Sequence, residues 1–100
     1  MTEIEFKESL FDRNPPVDIS TALRALWWQK NGDWNRAHEI AQSDNSEYGA
    51  WTHALLHREE GDLSNAAYWY NRANRKISSE PLEKEWDEIV VTIFKSNAST

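Results

Sequence analysis

The chain has no cysteine and only three glycines, three prolines and one methionine among its 100 residues. Without cysteine there is no disulfide framework, no zinc ribbon and no thiol nucleophile, a composition that fits a reducing cytoplasmic home. The glycines (Gly32, Gly49 and Gly61) are scattered, so no glycine-rich loop exists to cradle phosphate. Long apolar runs are missing too. The opening residues Met1 to Phe6 are acidic and do not read as a signal peptide, and no window reaches the length of a membrane span. Nor is there a basic surplus: eleven Lys and Arg face seventeen Asp and Glu, for a net charge of −6. The basic residues are dispersed, which argues against nucleic acid and against anionic membrane surfaces.

What is present is tryptophan. The hydrophobic fraction of 39% is low for a globular chain, but six tryptophans offset it, because each buries a large area. One domain with a single modest core is expected.

Residues 1–17 read as an N-terminal arm, partly ordered, whose aromatics dock on the body; Ile4, Phe6, Leu10 and Phe11 suit one side of a short helix. Asn14-Pro15-Pro16 ends it, because the residue before a proline is pushed away from helical angles. A first full helix is expected from Asp18 or Ser20 to Asn31, with an apolar face of Ile19, Leu23, Leu26, Trp27 and Trp28. Gly32 closes it, and Asp33 caps a short second helix from Trp34 to Gln42. A turn at 43–46 leads to a third helix ending at Glu60, with Asp44 and Glu47 as a candidate capping box. This helix is apolar around most of its circumference, so it is expected at the centre of the domain. Gly61-Asp62 opens a fourth helix from Leu63 to about Ile77, with Leu63, Ala66, Tyr70, Ala73 and Ile77 inward and Tyr68 outward. Pro81 opens a fifth, whose stripe is Leu82, Trp86, Ile89, Val90, Ile93 and Phe94. The plan is an arm over 1–17, a helical body over 18–95 and a frayed tail over 96–100.

A shift of 29 residues lays Ala25-Leu26 on Ala54-Leu55, Gly32-Asp33 on Gly61-Asp62, Trp34 on Leu63 and Ala37 on Ala66. Each unit is a helix, a Gly-Asp turn and a second helix with a small residue where the two approach. The pattern Ala54, Gly61-Asp62-Leu63, Ala66, Tyr70, Ala73 resembles the tetratricopeptide repeat. In the first unit the final aromatic and alanine are missing, and no proline closes either unit. Gly32-Asp33-Trp34 with Ala37-His38-Glu39, then Trp51 to Leu63 and Asn65 to Ala73, also resemble a family of small bacterial proteins over roughly residues 20–95, a likeness that implies the fold class and brings no activity with it. The expected fold is all-α: two stacked helical hairpins, tetratricopeptide-like, with a C-terminal capping helix.

His53 and His57 lie four apart and face one side of the third helix, and His38 borders the second helix where it could meet them. Three imidazoles suit a transition metal or a small ligand. They equally suit a helix–helix seam in which each ring is hydrogen-bonded. Arg58 sits between Trp51 and Ala54, placed to stack on Trp51, to pair with an acidic group, or to anchor a partner's carboxylate. The resemblance implies that Trp51, Leu55, Arg58 and Gln29 face a concave groove. The function expected is therefore a protein-interaction module capturing a peptide or helix on those residues, as a monomer or homodimer; the alternative is a small-molecule or metal-binding protein using His38, His53 and His57. No catalytic residue is assigned, and no cofactor.

Overall fold

A computed structural model describes residues 1–98 of the chain. Among them every regular element is helical: α1 Glu3–Glu8, a 3-10 turn Ser9–Phe11, α2 Thr21–Lys30, α3 Trp34–Gln42, α4 Glu47–Glu59, α5 Leu63–Arg72 and α6 Leu82–Ala98. The chain is all-α, with one helix more than the five expected, because the arm folds into α1.

The starts of these helices follow from short oxygen-bearing side chains that satisfy the free N–H groups of a first turn. Ser20, Asp33 and Asp62 accept from Leu23, Arg36 and Asn65 respectively. For α4 the cap is Ser46, accepting from the Gly49 N–H, rather than Asp44. Asp44 instead accepts from the Ser46 N–H at 2.9 Å and fills the space over Gly49. Glu47 accepts from Asn74 and does not complete a box. A true capping box lies at α1, where Thr2 and Glu5 bond reciprocally.

Three helix ends are built alike. After α2, the Gly32 N–H donates to the Gln29 carbonyl and the Asp33 N–H to Trp28; after α4, Gly61 donates to Arg58 and Asp62 to His57. Gly32 and Gly61 hold φ of 88° and 86°, where an L side chain is strained. After α5 the same bonds run from Asn74 to Asn71 and from Arg75 to Tyr70, with Asn74 at φ 57°. Asparagine tolerates this left-handed conformation, so α5 stops at Arg72 instead of reaching Ile77. Ile77 is then 65% exposed and Leu63 66%, and neither belongs to an inner stripe.

The core has two parts. The larger joins Leu23, Leu26, Trp27, Trp51, Leu55 and Tyr70 to Trp86, Ile89, Val90 and Ile93 of α6, with Leu82 and Phe94 half-buried beside them. The smaller is a patch of Ala25, Ala37, Ala41 and Leu56 under Trp28 and Trp34. Every residue of α4 from Gly49 to His57 is buried, as a central helix requires. It packs on α2, α3, α5 and α6. Phe6 of α1 is fully buried against Trp86 and Phe94, while Ile4 and Phe11 of the same arm are 71% and 94% exposed. The arm therefore docks through the Phe6 ring, with Leu10 half-buried against the same core, aided by Lys7 on Asp87 and by the Trp27 N–H on Ser9. α6 runs through Ala98, and the expected tail over 96–100 lies partly outside the described residues.

Candidate functional site

Two constellations stand out, one on each side of α4. Spacing by one helical turn puts His53 and His57 on the same side of α4, their rings stacked at 4.8 Å between centroids. The α3–α4 packing brings His38 onto them, 4.6 Å from the His53 ring and 5.1 Å from that of His57. The three candidate ligand atoms all lie within 4.8 Å of one another. Between His38 Nε2 and His53 Nε2 the distance is 3.0 Å, so one of these nitrogens carries a hydrogen and the other a lone pair. His57 Nδ1 donates to Glu60 Oε1 at 2.8 Å.

Two indoles wall the cluster. Trp34 stacks on His38 at 4.9 Å and 9°, and Trp69 stacks on His53 at 3.9 Å and 13°. Trp34 is itself tied to α4 by its N–H to the Leu56 carbonyl. His53 and His57 are buried and His38 is half-buried. Burial, and then the neighbouring imidazole of His57, holds His38 below the ordinary histidine value. Burial, reinforced by His38 and His57, takes His53 down to about 4.

That depression has a signed consequence. Between the unfolded value of 6.5 and about 4, the unfolded chain binds a proton that folded His53 refuses. Stability is therefore retained above pH 6.5, falls as pH drops towards 4, and levels off below, a loss of up to about 3 kcal/mol. Urea melts of metal-free protein between pH 7 and pH 4 check this. The expected slope is steeper in the wild type than in His53→Gln, and equal slopes would contradict it.

The second constellation is on the other side of α4. Glu85 of α6, only 1% exposed, takes three donors: Arg58 Nη1 on Oε1 at 2.8 Å, with Trp51 Nε1 at 3.1 Å and Tyr70 Oη at 2.5 Å on Oε2. Burial, with the bond to Glu85 next, raises the Tyr70 hydroxyl above the ordinary tyrosine value, so it stays a donor. Arg58 also donates to the Glu80 carbonyl.

The residues expected to line a groove are thus accounted for. Trp51 and Leu55 are 2% and 0% exposed beneath neighbouring elements, and Arg58 is engaged by α6. Gln29 is not with them; its side-chain N–H donates to Glu59, and its Oε1 is buried without a partner. The cation over Trp51 is Arg75, at 3.5 Å, rather than Arg58. Sequence reasoning missed Glu85, which looks like one acid among several on the polar side of the C-terminal helix. The signal that could have marked it is position: it adjoins Trp86 at the edge of the α6 stripe.

No protein-family model, curated protein or solved structure matches the chain.

Proposed function

We propose that the chain is a degenerate tetratricopeptide-like interaction module whose α2/α4 face receives an amphipathic helix, a place that α6 of the same chain takes. The reading of the two units as repeats is supported by their turns. Gly32-Asp33 and Gly61-Asp62 share the same hydrogen bonds and nearly the same dihedrals, and Ala37 and Ala66 are both buried four residues beyond the Asp. One observation carries the reading of the face: Arg58 and Trp51 hold a buried helix carboxylate, that of Glu85. Beside it Trp86 reaches across to α2, its N–H donating to the Leu26 carbonyl. This is helix-in-groove recognition, with an arginine and an indole as anchors, made within one chain.

A trans partner would be a helix of the same chemistry, with a carboxylate next to an aromatic residue and aliphatic residues one turn on. It competes with α6, so its apparent affinity is reduced by the fraction of chains in which α6 is displaced. A fluorescent peptide of residues 81–98, added to the full chain in mild urea that loosens α6, is expected to bind saturably. Binding should weaken when the peptide carries Glu85→Ala. No anisotropy change at any peptide concentration would mean that α6 is a fixed part of the core and that the face receives nothing else.

A further inference from the structure

The histidine cluster takes no part in holding α6, and its arrangement is that of a ligand set. We propose that His38, His53 and His57 form a three-imidazole site for a borderline first-row divalent metal ion, of the class of zinc, nickel and copper, with Glu60 as the outer partner that positions His57.

Four features of the cluster support the assignment. The first is proximity: two nitrogens bound to one ion at about 2.0–2.1 Å in a tetrahedral shell sit roughly 3.3 Å apart. His38 Nε2 and His53 Nε2 are already 3.0 Å apart, and all three donors fall within 4.8 Å. The fold thus brings all three donors to within about 1.5 Å of the spacing that a shared ion requires. The second is the outer shell. His57 Nδ1–H on Glu60 fixes the tautomer in which Nε2 keeps its lone pair. This carboxylate–imidazole arrangement typically supports a metal-bound histidine, and it raises the ring's basicity as a ligand.

The third feature is an unsatisfied group. His53 Nδ1 is buried without a hydrogen-bond partner, and His53 Nε2 has only another imidazole to bond with. An ion would act on the Nε2–Nε2 contact, giving both lone pairs a partner, while His53 Nδ1 has none in either state. In the ion-bound form both Nε2 atoms turn their lone pairs to the metal, and the hydrogen between them moves to Nδ1. That move is a tautomer change within one ring, so it releases no proton from the His38–His53 pair. The fourth is the surroundings. Burial disfavours the protonated rings, so the lone pairs are free near neutral pH. The indoles of Trp34 and Trp69 stack on two of the rings and shield them from water. A nitrogen-only set of this kind selects borderline ions over magnesium or calcium, which prefer oxygen.

The ligands come from both units, His38 from α3 and His53 and His57 from α4. A bound ion would cross-link the two hairpins beside the small patch of Ala25, Ala37, Ala41 and Leu56. Metal would then stabilise the packing of one unit on the other, by mass action on the folded state.

The test uses untagged full-length protein stripped with chelator and titrated calorimetrically with zinc sulfate, nickel chloride and copper sulfate. One ion per chain is expected, with copper tightest. Nickel and copper should quench tryptophan emission at the same stoichiometry. His38 is the least buried of the three, so His38→Gln is the variant chosen. It is expected to weaken binding by more than about 100-fold, beyond the roughly 10- to 100-fold expected for the outer-shell variant Glu60→Gln. Glu39→Gln, one residue away and exposed, should leave binding unchanged. Absence of any ion bound more tightly than about 0.1 mM, or binding that survives His38→Gln, would overturn the assignment. If His38→Gln fails to fold, the ring resonances of the wild type decide. Substoichiometric nickel should broaden those of His38, His53 and His57 together, and broadening that spares them would overturn the proposal. Failure here leaves helix reception by α2 and α4 untouched, since the two share no side chain.

Discussion

Arg58→Ala is expected to lower the stability of the fold by about 3–5 kcal/mol, the cost of breaking a buried ion pair from one side. Glu85 would remain buried with Trp51 and Tyr70 as donors but without a cation, because Arg75 is spent on the Trp51 ring. The same substitution in a freely exposed arginine costs little, since surface ion pairs contribute about 0–1 kcal/mol. Urea denaturation of the single variant distinguishes the two. A paired variant, Arg58→Met with Glu85→Leu, should recover much of the loss, because apolar side chains of similar volume can replace a buried pair at small cost. A loss below about 1 kcal/mol in Arg58→Ala would show that the pair is solvated and α6 loosely held.

Phe6→Ala is the second large effect, with an expected loss of about 3–5 kcal/mol for truncating a fully buried ring. Phe6 is 0% exposed, 6.2 Å from the Trp86 ring and 5.9 Å from that of Phe94. The cost has a ceiling set by the arm itself. Once it exceeds the docking energy of residues 1–11, the arm detaches and the rest of the chain stays folded. The Lys7–Asp87 ion pair and the Trp27–Ser9 bond would then open as well. Hydrogen exchange reads this directly: the α1 amides should lose protection in Phe6→Ala and keep it in Ile4→Ala, whose side chain is 71% exposed. Equal protection in both variants would mean that the arm is held by something other than its buried ring.

Most of the fold could be read in advance because its punctuation is local. Gly32-Asp33 and Gly61-Asp62 mark both turns, since each motif needs only a residue at positive φ followed by a cap. Asn74 carries out the same closure without glycine, and in sequence it looks like any polar residue in a basic stretch. At α4, Asp44 and Ser46 are equally good caps two positions apart, and the choice depends on Asp44 packing over Gly49. The histidine cluster was half legible. Helical spacing pairs His53 with His57, while His38 joins them only through the angle at which α3 lies on α4. Arg58 and Glu85 are 27 residues apart on helices that meet late in the chain. No short-range pattern links them, and the arginine alone left stacking on Trp51, pairing with an acidic group and anchoring a partner's carboxylate all open.

The indoles set a further condition on how this core can be used. Trp27, Trp34, Trp51 and Trp86 each direct their one N–H to a specific acceptor: Ser9, the Leu56 carbonyl, Glu85 and the Leu26 carbonyl. Each ring behaves like a key with a single notch. A rotated or slipped packing would bury the same area yet strand the N–H, at a cost of about 1–3 kcal/mol per ring. The chain's one methionine, Met1, is exposed, so no soft filler is available to absorb a misfit. A core keyed in this way favours one arrangement over many near-equivalent ones. On the proposed reading, a helix taking the place of α6 would have to bring a carboxylate to the Trp51 N–H, which would otherwise be stranded.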